Sequence, residues 1–251
     1  MSNDLEHNLR TVQQRIADAA TRAGRDPQEI TLVAVSKTFP ADAILAAHAL
    51  GVRHFGENRV EEALEKIPQV SRQLPNHPSA SLRTSPTTQL PNITWHLIGH
   101  LQSRKVKDAV SLFDVVQSVD SAMLARRLND RAATLGKTIA ILIEVNVSGE
   151  ATKSGFAPAP REVFFAAVRD ILTLPHLDAQ GLMTVVPIVA QADDARPFFR
   201  ALRELRDELR TRFPDRSWNH LSMGMSDDFQ AAIAEGATIV RIGRAIFGER
   251  K

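Results

Sequence analysis

The chain has 251 residues, 43% hydrophobic and 24% charged, enough for one large α/β domain with a packed core. Its net charge of +2 gives no convincing nucleic-acid footprint despite a pI near 9.2, and the absence of cysteine excludes disulfides, thiolate metal sites and cysteine nucleophiles. No apolar run approaches the length of a membrane span and the N-terminal MSNDLEHNLR lacks a signal-peptide pattern, so a cytoplasmic location without membrane contact is expected.

In chain order, Leu5, Leu9, Val12, Ile16 and Ala19/Ala20 recur at helical spacing and predict an amphipathic helix over 3–23, ended by Gly24 and Pro27. TLVAVSK (31–37) reads as a short strand buried on both faces, ending at Lys37. Pro40 opens a helix through Leu50, and VRHF (52–55) is a second strand, with a helix from about Asn58 to Ile67. Residues 69–92 hold four prolines and many Ser and Thr, and read as an extended loop inside a single domain spanning 1–251. Further strands are expected at 93–99, 112–119, 138–147, 177–185, 217–223 and 237–243. Helices are expected at 120–135, 161–174, 192–213 and 227–235, with another begun by LQSRKVKDAV and a short one at the end.

Eight strands alternating with helices predict a parallel sheet, and eight units suggest a closed (β/α)₈ TIM barrel with an extra N-terminal helix capping it or lying beside it. The alternative is an open doubly wound sheet, weakened by the lack of a G-x-G-x-x-G after strand one. In such a barrel the chemistry sits at the C-terminal strand ends, which here hold Lys37, Glu57, Asn58, His96, His100, Ser118, Glu144, Asn146, Ser222 and Arg241. His96, His100 and His220 show no metal-ligand spacing and read as hydrogen-bonded strand-end histidines.

Lys37 is either a solvated strand-end lysine or, if dehydrated, an amine able to attack a carbonyl. LSMGMSDD places Ser226 as an N-cap, with Gly224 in a tight turn; RIGRAIFG offers the backbone N–H groups of Gly243 and Arg244 at the final helix. Loops after strands seven and eight of a barrel often hold a phosphate. A phosphate site opposite a lysine suggests a phosphorylated aldehyde, and pyridoxal 5'-phosphate (PLP) fits both ends. Arg241 should project into the barrel, either toward the pyridine nitrogen or into an ion pair with Glu144. Asn58 is a helix cap or a ligand contact.

AVSKTFP, HFGENRVEEALEK, WHLIGHLQSRKVK, SVDS, IEVNVSGEATKSGF, GLMTV and LSMGMSDDFQAAIAEGATIVRIGRAIFGER together resemble the YggS/PROSC family of pyridoxal phosphate homeostasis proteins, across nearly the whole chain. The resemblance implies a barrel like the alanine racemase N-terminal domain. It also implies a cofactor site made of Lys37 as the imine lysine, Arg241 at the pyridine nitrogen, Ser226, Gly243 and Arg244 at the phosphate, and Asn58, Ser222 and Met223 along the ring. The role it implies is storage, buffering or transfer of PLP without turnover, by a monomer whose recipients would be PLP-dependent apoenzymes.

Two rivals stay open. A racemase-like enzyme needs an acid/base group on each face of the substrate, and the chain contains no tyrosine. A phosphosugar barrel with an imine lysine would draw its carboxylate from Glu57 or Glu144.

Overall fold

Short strands with two apolar faces can bury both only if helices cover one face and the sheet encloses the other. The computed structural model, which describes residues 2–74 and 93–249, adopts that solution. Strands β1 (Thr31–Val35), β2 (His54–Glu57), β3 (Thr94–Leu97), β4 (Val115–Val119), β5 (Ile139–Glu144), β6 (Leu177–Met183), β7 (His220–Ser222) and β8 (Ile239–Ile242) are parallel. They pair in sequence order, and β8 closes on β1 with Val33 opposite Arg241. Helices α2 (Ala41–Ala49), α3 (Val60–Gln73), α4 (Val106–Leu112), α5 (Ala122–Thr134), α6 (Arg161–Leu172), α7 (Arg196–Arg212), α8 (Phe229–Ala234) and α9 (Arg244–Phe247) follow the strands.

The first helix, α1 (Ser2–Arg22), lies beside the barrel rather than across its end. Its apolar stripe of Leu9, Val12, Ile16, Ala19 and Ala20 is buried, and the helix packs on α8 and α9. Polar ties fix the contact: Asn8 donates to the Ile246 carbonyl at 3.2 Å, and Arg15 donates to Gln230 at 2.7 Å. Just beyond α1, Arg25 donates to the carbonyls of Ile233 and Ala237.

Most apolar side chains fill the layer between barrel and helices. A separate cluster of Val33, Leu142, Met183 and Ile239 comes from strands on opposite sides of the sheet, so it can meet only inside the barrel. Polar side chains, Arg241, Ser222 and Gln117 among them, share that interior with it, as described below.

Several boundaries differ from expectation for local reasons. Val52 donates its N–H to Ala47 at the end of α2, so β2 starts two residues later, at His54. Leu112 and Phe113 close α4 instead of opening β4, and Asp114 then accepts the Trp95 N–H at 2.8 Å. Helix α3 continues through Pro68 to Gln73 because Val60, Ala63, Ile67 and Val70 keep a buried stripe. The beginning of the expected 69–92 loop is therefore helical, and 75–92 lie outside the described residues. The long helix expected at 192–213 begins as a 3-10 turn, Ala192–Ala195, before α7 starts at Arg196 with Pro197 in its first turn.

Leu9 is 2% exposed between α1 and the barrel. Leu9→Ala should cost about 2–5 kcal/mol of stability through lost burial and the cavity left behind. Urea unfolding followed by circular dichroism checks this, with a lower midpoint and an unchanged slope as the expected result.

Candidate functional site

β1 leaves the barrel at Ser36, which is buried, and the chain turns at Lys37 and Thr38. Both neighbours of Lys37 are pinned. The Ser36 hydroxyl donates to Glu57 Oε1 at 2.7 Å, and the Ser36 carbonyl accepts from Lys66 Nζ at 2.8 Å. Thr38 has φ of 69°, a left-handed conformation that costs a non-glycine residue about 1–3 kcal/mol. Its N–H donates to the Glu62 carboxylate, which holds it there. Lys66 binds the two carboxylates together, 2.8 Å from Glu57 and 2.9 Å from Glu62. Burial pushes the Glu57 carboxyl up from its ordinary range, and Lys66 and Ser36 pull it back. Glu57 is thus a brace under Lys37, with one oxygen spent on Ser36 and Lys66. Lys66 and Glu62 escaped the sequence reading; the signal was a Glu–Lys pair four apart on the helix after β2, with the lysine on its buried face.

Opposite Lys37, β8 hands over to α9 at Gly243. A Cβ on Gly243 would come 3.1 Å from the Val35 carbonyl oxygen, so a larger residue would push α9 away from β1. Lys37, Val35, Phe39, Gly243, Arg244, Gly248 and Glu249 line one cavity of about 300 Å³. The Phe39 and Phe247 rings meet at its edge, 5.0 Å apart. Three of the anticipated residues, Lys37, Gly243 and Arg244, are therefore brought together. The Arg244 side chain pairs with Asp227 and Glu249, the second of which also lines the cavity.

Ser226 is not a helix N-cap. Asp228 takes that position on α8 without a side-chain capping bond; its Oδ1 accepts the Met225 N–H of the preceding loop at 2.6 Å, and Gly224 makes the turn before it with φ of 92°. The Ser226 hydroxyl is directed instead to α9, accepting the Ala245 N–H at 3.4 Å. The loops after β7 and β8 are thereby joined.

Below this rim lies Arg241, 4% exposed. Its Nη1 donates to Ser222 Oγ at 2.6 Å and its Nη2 to the Thr184 carbonyl at 2.8 Å. Burial draws its pKa down to about 10, against the opposing pull of Glu144 and Asp228, so it stays charged at neutral pH. The direct ion pair with Glu144 expected as one alternative is not formed: the guanidinium's terminal nitrogens go to Ser222 and Thr184, and Glu144 acts on it through space. Glu144 itself is raised to about 7 by burial and by Asp120, with Arg241 and His100 opposing, and its Oε2 is buried without a hydrogen-bond partner among the described residues.

Ser222 faces the interior, whereas the next side chain, Met223, packs in the layer under the helices, so only its backbone borders the interior. Asn58 lies in the bend after β2, where Gly99 must lack a Cβ to clear its carbonyl. The N-cap of α3 is Arg59, which removes the capping reading of Asn58, and Asn58 is not among the residues lining the 300 Å³ cavity. Among the described residues no cluster of three or more His, Cys, Asp or Glu is placed to hold a metal. No helix among them is long and apolar enough to cross a membrane.

The chain matches the family model "Alanine racemase, N-terminal domain" over residues 2–251. It is 41% identical over 243 residues to a pyridoxal phosphate homeostasis protein of Aquifex aeolicus, covering 97% of each chain. The solved structure of PipY from Synechococcus elongatus PCC7942 with PLP bound is 37% identical, with a TM-score of 0.76, covering 93% of this chain and 100% of that one. The alanine racemase of Clostridium difficile 630 in complex with cycloserine shares the barrel fold at 17% identity and a TM-score of 0.68, over 98% of this chain and 60% of that one.

Glu144 gives the site a pH signature. Its carboxyl is raised in the folded chain from 4.5 to about 7, so the folded state holds a proton that the unfolded state releases in that interval. The contribution is complete below pH 4.5 and is lost as pH rises through about 7. Relative to Glu144→Gln, the wild-type protein should lose on the order of 3 kcal/mol of unfolding free energy between those limits. Urea titrations of both proteins across the interval measure the difference, and parallel curves would refute it.

Proposed function

This chain belongs to the pyridoxal phosphate homeostasis proteins, within the alanine racemase N-terminal domain family, and we propose that it holds PLP at the barrel mouth and buffers or hands over the cofactor. The observation that carries the reading is the single cavity walled by Lys37 on one side and by Gly243 and Arg244 on the other. The residues fit the group. The cavity of about 300 Å³ is of ligand size, since such pockets run from about 300 to 1,000 Å³. Its glycine wall packs closely on β1, where an added Cβ would press on Val35 at 3.1 Å, and so keeps the start of α9 beside the strand that leads into Lys37.

In this reading Lys37 would be the amine that holds the cofactor at its aldehyde, with its backbone fixed by the Glu57–Lys66–Glu62 brace. Gly243 and Arg244 offer backbone N–H groups to the phosphate, and Ser226 adds a hydroxyl from the neighbouring loop. Arg241 meets the pyridine nitrogen from below, while Ser222, Asn58 and the Met223 backbone border the ring. When bound, the cofactor supplies an electron-withdrawing ring; a permanently charged arginine against its nitrogen keeps that nitrogen unprotonated and weakens the withdrawal. That favours holding over turnover. Amino-acid turnover would need a second acid/base group besides Lys37, and Glu144 is the residue to substitute should any activity be found. The proposal places a monomer in the cytoplasm, with PLP-dependent apoenzymes as recipients.

Purified protein incubated with PLP should show visible absorbance that borohydride removes, with the pyridoxyl adduct mapping to Lys37. Lys37→Ala should abolish that adduct; normal imine absorbance in this variant would overturn the assignment. Arg241→Ala should shift the absorbance or weaken PLP binding, and an unchanged spectrum and affinity would make Arg241 purely structural.

A further inference from the structure

Arg241 is one end of a hydrogen-bond chain that crosses the barrel. Nη1 donates to Ser222 Oγ at 2.6 Å, Ser222 Oγ donates to Gln117 Oε1 at 2.6 Å, Gln117 Nε2 meets His96 Nδ1 at 2.9 Å, and His96 Nε2 meets His54 Nδ1 at 3.0 Å. Gln117 and Ser222 are fully buried and His96 is 3% exposed. The members come from β8, β7, β4, β3 and β2, so the Ser222–Gln117 bond spans the interior.

The chain has only one direction. A guanidinium donates and never accepts, so Ser222 must accept from Arg241 and spend its own hydrogen on Gln117. The Gln117 carbonyl is then occupied, and its amide nitrogen donates to His96 Nδ1. His96 must carry its proton on Nε2 and donate it to His54 Nδ1, which places the His54 proton on Nε2. Nothing in the chain opposes this polarity. His96 is neutral because burial, with His54 and His220 nearby, pulls its pKa down to about 3. His54 is lowered by burial and by His220, with Asp114 partly opposing. His220 is lowered by burial, with Asp178 opposing.

We propose that Gln117 and His96 are positioning residues for Arg241, fixing the plane of its guanidinium, and hence the face it presents to a bound pyridine ring, from the far side of the barrel. The inference rests on the reading that Arg241 meets the ring. The residues of this chain do two things here: Ser222 fixes one terminal nitrogen through Gln117, and the Thr184 carbonyl fixes the other, its own hydroxyl being tied to the Val145 carbonyl at 2.7 Å.

Two substitutions at one position separate positioning from packing. Gln117→Leu removes the acceptor for the Ser222 hydroxyl at nearly constant volume. Gln117→Glu keeps that acceptor whether its carboxyl is protonated or ionised. Positioning predicts that, after PLP is added, Gln117→Leu shifts the visible absorbance in the same direction as Arg241→Ala and weakens PLP binding roughly tenfold. Gln117→Glu should keep the wild-type spectrum. Packing predicts the reverse ranking, since leucine suits a buried site and glutamate does not. A wild-type spectrum and affinity in Gln117→Leu, beside a shifted Arg241→Ala, would overturn the inference and leave the PLP reading intact. An unshifted Arg241→Ala would overturn the arginine–ring contact, and the inference with it. A measurement without PLP keeps the proposal testable if Gln117→Leu fails to fold: ¹⁵N shifts of wild-type histidines should show His96 and His54 both as Nε2–H tautomers. A His96 proton on Nδ1 would overturn the chain.

Discussion

A charged guanidinium inside a β-barrel is the constraint around which this interior is arranged. Barrel interiors are ordinarily layers of branched apolar side chains. Here one layer is of that kind, Val33, Leu142, Met183 and Ile239, and beside it sits Arg241. Removing such a cation from water costs several kcal/mol unless its hydrogens find acceptors and its charge finds opposite charge nearby. Ser222 and the Thr184 carbonyl provide the first, and Glu144 and Asp228 the second. Because arginine has no acceptor, every group in line with it must take a definite orientation. One residue's chemistry thus propagates to two histidines on the other side of the fold.

Closure of the sheet is what brings the strand carrying this arginine beside the strand that leads into Lys37. β1 and β8 lie at opposite ends of the sequence, yet Val33 stands opposite Arg241 and Ala34 opposite Ile242. Two residues further along each strand, the register brings Val35 beside Gly243, and the chain turns from there into Lys37 on one side and α9 on the other. The lysine end and the glycine end are therefore set by strand register, with no long side chain needed to bridge them. What register leaves free, the direction of the backbone at Lys37, is settled by Glu62 and Glu57 through Lys66. A buried lysine shared by two carboxylates holds because removing any member would strand a charge.

Much of this was legible from sequence, and what was not had physical causes. The barrel followed from the alternation of apolar runs and amphipathic helices. Lys37, Gly243 and Arg244 followed from the rule that chemistry gathers at C-terminal strand ends. The start of β4 was misplaced because Leu112 and Phe113 continue an apolar run while belonging to the end of a helix; burial looks the same in either element. The N-cap reading of Ser226 failed because serine followed by two aspartates satisfies the local capping rule, whereas α8 starts only after Asp228 and the Ser226 hydroxyl goes to α9. Gln117 gave no signal, and His96 read only as a hydrogen-bonded strand-end histidine with no partner named, since a hydrogen bond from β4 to β7 links residues 105 apart in sequence. Strand periodicity carries no information about which polar groups will face one another across a barrel.

The two ends of the site differ in how firmly they are built, and the difference bears on what such a site does well. The arginine end is buried and hydrogen-bonded on both terminal nitrogens. The rim depends on Gly243 packing against β1, a long Ser226–Ala245 bond of 3.4 Å, and ion pairs of Arg244 with exposed Asp227 and Glu249. Exposed pairs contribute little and are screened by salt. A ligand at this mouth would find its electronic environment set by a rigid interior and its grip set by a rim that yields at small cost. An enzyme that must shut out water needs the opposite at its entrance. A protein that has to release an intact cofactor needs the entrance to give way while the interior keeps its shape, and that is the distribution of strength found here.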